Sequence, residues 1–241
     1  MRMLAEREAE VALLYRRIIQ GCTGTLLGIL ASGPLAVALV EATHSQPPWA
    51  GAERFAQNFH PVQIVPYAGG LLLVLSLSLL LSSLQVLHRD RACAALALLT
   101  SAVFACLISL NYALQSSYVP VLARSYDPAA APLLAMLSMS NPRSLAWAIE
   151  MWGWGFAGIA SWLLAGVFAR SRLERAARAC FVANGVVSVL GTLSAVLWPG
   201  WMMTPLGLIA FALWNVLLGA LAALTLATFR RRLRTPAGQL A

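Results

Sequence analysis

The sequence contains no lysine: all 17 of its basic residues are arginine. A retinal Schiff base, a pyridoxal aldimine and a lysine phosphate clamp each need a lysine amine, so these chemistries are excluded. Charge of either sign is scarce, at 11% of residues, and only nine residues are acidic. An ordinary soluble domain is ~25% charged and about half apolar. Here the apolar set reaches 60% and the mean hydropathy is +0.75. No soluble core hides that much apolar surface. A soluble enzyme, a disordered chain and a disulfide-stapled secreted module are excluded, which leaves an integral membrane protein. The pI near 10.2 would suit a nucleic-acid binder, but the arginines are not massed on one face, so no nucleic-acid partner is expected.

Cysteine and histidine are also few. The cysteines are Cys22, Cys93, Cys106 and Cys180. No two form a CxxC and none falls in an external loop, so neither a structural disulfide nor a thiol relay is expected. The histidines are His44, His60 and His88, all in loops or at helix boundaries. There is no HExxH or i,i+4 pair and no mid-helix histidine, so no metal or haem site is indicated. GxSxG, Walker and Rossmann signatures are missing, as are an aspartate-rich metal motif and a glycosidase-like acid pair. No catalytic residue and no cofactor are identified.

What is present is long apolar runs. A spanning helix needs ~20 mostly apolar residues, and six runs qualify: 18–40, 62–87, 92–115, 145–169, 179–198 and 203–229. The first exceeds a secretory h-region in length and reads as a retained span. Arginine placement orients the set. Fourteen arginines (2, 7, 16, 17, 89, 91, 170, 172, 175, 178, 230, 231, 232 and 234) flank one side of a six-span arrangement, and only Arg54, Arg124 and Arg143 fall on the other. The expected fold is therefore all-α: one domain over 1–241, a polytopic bundle of six transmembrane helices with both termini cytoplasmic.

The external segments, Glu41 to Pro61 and Ser116 to Ser144, are the long ones. Ala129 to Ser140 is apolar but too short to span, and is expected to lie in the interface or re-enter the membrane. Trp49, Tyr67, Tyr112, Tyr118, Tyr126, Trp147, Trp198 and Trp201 fall near the external boundary, in part as an ordinary aromatic belt. The segment up to Arg17 reads as a cytoplasmic extension of the first helix. Gly24 and Gly28 form a GxxxG that allows close helix approach, within the bundle or to a second copy. Asn184, Ser188 and Thr192 form a small-polar stripe suited to packing, and Pro34 and Pro205 are expected to kink their helices.

One acidic residue stands apart. An acid or base at a helix centre costs ~2.5–3.5 kcal/mol or more, and eight of the nine acidic residues avoid this by lying in loops, tails or boundaries. Glu150 lies ~8 Å inside the fourth span at 1.5 Å per residue. Trp147, Glu150, Trp154, Gly158 and Ser161, spaced by three and four, share one helical face. Asn111, Gln115 and Tyr118 share a face at similar depth on the third span, and Gln63 and Tyr67 begin the second. If these faces converge, they form a polar pocket opening outward, walled by Trp147, Trp152 and Trp154, with Arg143 placed to close an ion pair over Glu150. The alternative is an ordinary interhelical hydrogen bond. The candidate binding residues are Glu150, Asn111, Gln115, Trp147, Trp154, Arg143, Gln63 and His60. For His60 a solvated interfacial histidine competes with any ligand role.

The run Asn141-Pro142-Arg143-Ser144, continuing through Trp147 to Glu150, resembles an NPxSxxWxxE pattern of small, uncharacterised six-helix bacterial membrane proteins. The likeness covers the chain from the third span through the fourth. It implies a six-helix fold and no activity; with the all-arginine composition it points to a bacterial cytoplasmic membrane. Asn141 is suited to cap the helix and Pro142 to open it. Three function classes follow. The first is a non-catalytic protein binding a small hydrophobic molecule, lipid or protein partner at its external face, or serving as an accessory subunit of a larger membrane complex. The second is a proton- or cation-coupled transporter or channel using Glu150; it ranks lower because Pro34 and Pro205 do not pair as inverted repeats. The third is a lipid-acting enzyme using Glu150 with His60.

Overall fold

Apolar runs of this kind fold as helices because a backbone in hydrocarbon must satisfy its own N–H and C=O groups. A computed structural model describes residues 2–169 and 171–234, with side chains from Glu6 onward. Arg170 and the Arg2 side chain, both part of the arginine pattern, lie outside the described residues. The structure is 85% helix, with no strand among the described residues. The long helices are α1 (Arg2–Ser32), α4 (Val65–Gln85), α5 (Arg91–Ala113), α8 (Leu145–Leu164), α9 (Arg172–Leu197) and α10 (Pro205–Arg234). The short ones are α2 (Pro34–Thr43), α3 (Ala52–Gln57), α6 (Val119–Arg124) and α7 (Ala131–Leu137).

Among the described residues, five segments are long and apolar enough to cross a membrane: Glu6–Thr43, Pro61–Gln85, Arg91–Arg124, Arg172–Leu197 and Pro205–Arg234. Helix α8, with 20 residues, is not one of the five; it carries Glu150, four tryptophans and three glycines. It is also well enclosed, with nine of its 20 residues buried. A helix faced by protein more than by lipid tolerates such a composition.

Helix ends depart from the expected spans where local chemistry intervenes. The first span breaks at Gly33 and resumes with Pro34 at the first position of α2, the kink expected of a residue with no N–H to donate. Pro205 instead opens α10 and kinks nothing. The third span does not end near Gln115. It continues through a π-helical turn, Leu114–Tyr118, into α6. The serines there, which read as loop signals, donate back to carbonyls of the preceding turn (Ser116 to Tyr112 and Ser117 to Ala113), and Pro120 falls in the first turn of α6. Helix α8 stops at Leu164, short of residue 169. Helix α9 starts at Arg172 instead of 179, capped by Ser171 Oγ, which accepts from the Glu174 N–H at 3.2 Å.

Each long helix packs on the next: α1 on α4, α4 on α5, α5 on α8, α8 on α9 and α9 on α10. Helix α10 then returns to α1 and closes a ring. The interior is filled by Leu77, Leu81, Phe104, Leu164, Leu218 and Leu221, among others. The Trp154 ring lies 4.9 Å from Phe104 and 4.6 Å from Trp214, so aromatic rings span the centre. Along the α1–α4 seam, Gly21, Gly24 and Gly28 face Leu80, Ser76 and Leu73. The close approach is thus made within one chain, and a second copy is not needed to explain the glycine stripe.

Aromatic and ionic contacts gather the arginine-rich segments at one end. Phe229 of α10 meets Tyr15 of α1 at 5.2 Å and Phe168 at 6.3 Å, and Phe168 meets Phe181 of α9 at 5.0 Å. Arg232 lies 4.7 Å above the Phe229 ring and pairs with Glu174 at 2.9 Å. At the opposite end α3, α6 and α7 form a cap with its own small core of Phe55, Val119, Ala123 and Leu134. The apolar stretch from Ala129 to Ser140 supplies α7 and so becomes part of this cap.

Candidate functional site

Helix α8 begins beneath the cap. Its N-cap is Ser144, whose Oγ accepts from the Trp147 N–H, and not Asn141. Asn141 sits in the preceding turn, where Oδ1 accepts from the Arg143 N–H and Nδ2 donates to Ala135 O at 2.7 Å. Pro142 and Arg143 therefore lie in that turn, outside the helix. Two turns of helix then carry the side chain of Glu150 into the bundle, leaving the residue 7% exposed.

Three neutral donors from two helices meet this carboxyl group. Asn111 Nδ2 of α5 donates to Oε2 at 2.9 Å, Tyr112 OH of α5 donates to Oε1 at 2.8 Å, and Trp154 Nε1 of α8 donates to Oε1 at 2.8 Å. Asn111 Nδ2 also reaches Ala146 O at 3.2 Å, which fixes the amide against the start of α8. Above it Gln115 clamps the backbone beyond α7: Nε2 donates to Leu137 O at 2.7 Å and Oε1 accepts from the Met139 N–H at 3.1 Å. The polar groups thus form one connected network between bundle and cap, as buried groups in low dielectric require.

Glu150, Asn111 and Gln115 are brought together as the helical spacing predicts, and Trp154 joins them. Trp147 adjoins the network with its indole N–H on Met139 O at 2.7 Å. Tyr118 does not join: the π-helical turn between it and Asn111 changes the register, and it stands 41% exposed. Trp152 is 49% exposed and packs against Phe156, on the far side of α8 from Glu150. Arg143 is exposed and makes no ion pair with Glu150. His60 stacks on His44 with ring centroids 3.7 Å apart, and its Nδ1 accepts from the Val62 N–H. Gln63 accepts from the His60 N–H at 3.2 Å. His60 and Gln63 thus serve the turn that opens α4 and stand off from the carboxyl group. Tyr112 is the site residue that sequence reasoning misses; its place in the aromatic belt conceals a bond to Glu150.

Two cavities flank this network. A partly polar cleft of about 40 Å³ lies beneath the cap, where Gln46, Gln63, Tyr67, Gln115, Ser138 and Ser140 face the apolar Phe55, Phe59, Ile64 and Val119. A wider groove of about 540 Å³ runs between the start of α8 and the α9–α10 link. Trp147, Met151, Trp198, Trp201 and Met202 line it, and Arg143 is its one charged lining residue. Gly200 makes the link possible, since its φ of +85° lies in the left-handed region that side chains disfavour. The Trp201 indole N–H is buried without a hydrogen-bond partner. No group of three or more His, Cys, Asp or Glu suited to a metal ion occurs among the described residues. Comparison with known protein families, curated proteins and solved structures finds no match to this chain.

Proposed function

We propose that the chain is a six-span protein of a bacterial cytoplasmic membrane, with both termini in the cytoplasm, and that it binds an anionic amphiphile at its external end without catalysis. The observation that carries this is the groove beside α8. Tryptophan and methionine walls suit an acyl chain, since both present large, adaptable apolar surfaces. Arg143 supplies the single positive charge, on the side of the protein where arginine is scarce. The Trp201 N–H is a second donor with no internal partner. Closure of the helix ring through α8 supports six spans, and the gathering of the arginine-rich segments at one end supports the orientation. Absence of catalysis is supported by the groove's lining, in which Arg143 is the one charged residue and no acid, histidine or thiol takes part.

The test is native mass spectrometry of the full chain released from nanodiscs of equimolar phosphatidylglycerol and phosphatidylcholine. Preferential retention of phosphatidylglycerol is expected. One arginine near an anionic headgroup is worth about 1 kcal/mol, so Arg143→Glu is expected to cut the preference roughly fivefold or more. Equal retention of both lipids, or a tightly held protein subunit in place of lipid, overturns the proposal.

A further inference from the structure

The groove makes no use of the buried carboxyl group, and the partly polar cleft lies on the other side of the network. We propose that this cleft is a hydrated vestibule through which Glu150 exchanges protons with the aqueous phase at the cap end, making Glu150 a proton-binding site of the bundle. Gln46, Gln63, Tyr67, Gln115, Ser138 and Ser140 supply the polar part of the wall, and Phe55, Phe59, Ile64 and Val119 the apolar part. Gln46 Oε1 accepts from Ser140 Oγ at 3.0 Å, whereas Gln46 Nε2 is buried with no partner. A buried donor of that kind, in a partly polar space, is what an ordered water satisfies. A water needs at least about 10–15 Å³ of such space, so a cleft of about 40 Å³ has room for one or more.

The floor of the cleft leads to the carboxyl group by two routes. Gln115 Nε2 lies 3.5 Å from Asn111 Oδ1, and Asn111 in turn donates to Glu150. Tyr67 packs on Tyr112 with ring centroids 6.0 Å apart, and Tyr112 donates to Glu150. The hydroxyl of Tyr112 both donates and accepts, which suits it to pass protons where the amides only hold position. In the inward step the Tyr112 proton moves to Oε1 and is replaced from the hydroxyl of Tyr67, which lines the cleft and takes a proton from water there; the outward step is the reverse, and no other bond changes. The titratable groups facing Glu150 are Tyr112 of α5 and Tyr67 of α4. Neither α7 nor the adjoining part of α9 presents a charged side chain, so a proton is the positive charge this site is built to take.

The test is infrared difference spectroscopy of the full chain in nanodiscs, with Glu150→Gln identifying the carboxyl band. The expected result is a band that responds to bulk pH and shifts within seconds of transfer to D₂O. Gln46→Leu, close in size but unable to hold water, is expected to slow that shift by about tenfold or more. It leaves every bond to Glu150 in place, so it reads access even if Glu150→Gln fails to fold. A band that ignores pH, or that resists D₂O for hours, overturns the proposal, and so does wild-type exchange in Gln46→Leu. Lipid retention in the groove is expected to be unchanged in Gln46→Leu, so the two proposals fail independently.

Discussion

Gly28→Ala tests the seam on which the ring depends. A Cβ at Gly28 would stand 2.5 Å from Leu73 Cα and 2.7 Å from Leu73 N. Non-bonded carbons settle at about 3.5–4.0 Å, so α1 and α4 must separate by roughly 1 Å to admit one methyl group. The obstruction is backbone, which has no rotamer to yield. Overpacking of this kind costs about 1–3 kcal/mol, while alanine in place of glycine returns up to ~1 kcal/mol of helix propensity. A net loss of up to about 2 kcal/mol is expected. Gly219→Ala is the matched control: the nearest atom to its added Cβ is Ile29 Cδ1 at 4.0 Å, so only the propensity gain of up to ~1 kcal/mol applies. Reversible unfolding in mixed micelles by SDS titration measures both. Two alanine variants within about 0.5 kcal/mol of one another would refute the reasoning, because the propensity gain is common to both and the expected gap is the overpacking cost of about 1–3 kcal/mol.

Glu150→Gln keeps a carbonyl oxygen for Tyr112 and Trp154 but turns an amide N–H₂ toward the Asn111 Nδ2 donor, so it is expected to lose one bond, about 0.6 kcal/mol. Glu150→Leu strands three donors at about 0.6 kcal/mol each, on the order of 2 kcal/mol in all; equal unfolding free energies for the two variants would remove the bonding role. Asp90 caps α5 by accepting from the N–H groups of Cys93 and Ala92, and those bonds hold its carboxyl below the ordinary carboxylate range. Its contribution is therefore complete above the unfolded-state value of about 3.9 and is lost as pH falls through the lower folded value. Asp90→Asn, which keeps a cap but not the titration, is expected to show a shallower fall in melting temperature below about pH 4; parallel curves for variant and wild type would contradict this. A cysteine at Ser125 is expected to react with an impermeant maleimide from outside intact cells, and one at Arg172 only after lysis; the opposite pattern reverses the orientation.

Much of this architecture is legible before any coordinates are seen, for identifiable reasons. Apolar runs and arginine spacing are properties of contiguous sequence, so the long helices are found and their ends are not. The run of helix past Ser116 and the starts at Arg172 and Pro205 are set by back-bonding serines, a cap and a proline whose position in the helix is invisible to hydropathy. At the site, Asn111, Gln115, Glu150 and Trp154 share faces at spacings of three and four, which makes them readable. Tyr112 is turned about 100° from Asn111 around α5 and reaches the carboxyl group only because its side chain is long. Trp152 misleads for the same geometric reason, about 200° from Glu150 around α8. The groove is harder still: Arg143 and Trp201 come from segments far apart in sequence, and only the tertiary fold brings them to one wall.

The ring has a consequence for how the protein is made. Because each long helix rests on the one synthesised before it, every seam but one has both of its partners in the membrane as soon as the newer helix arrives. Glu150 meets Asn111 and Tyr112 at the α5–α8 step, so its carboxyl group is taken up before α9 is synthesised. Only the α10–α1 seam joins the last helix to the first. Until α10 inserts, that flank stands open to lipid, and the nascent chain is a curved wall in place of a closed body. Quality control that distinguishes finished from unfinished copies therefore has one edge to inspect, and a truncation before α10 leaves it permanently exposed.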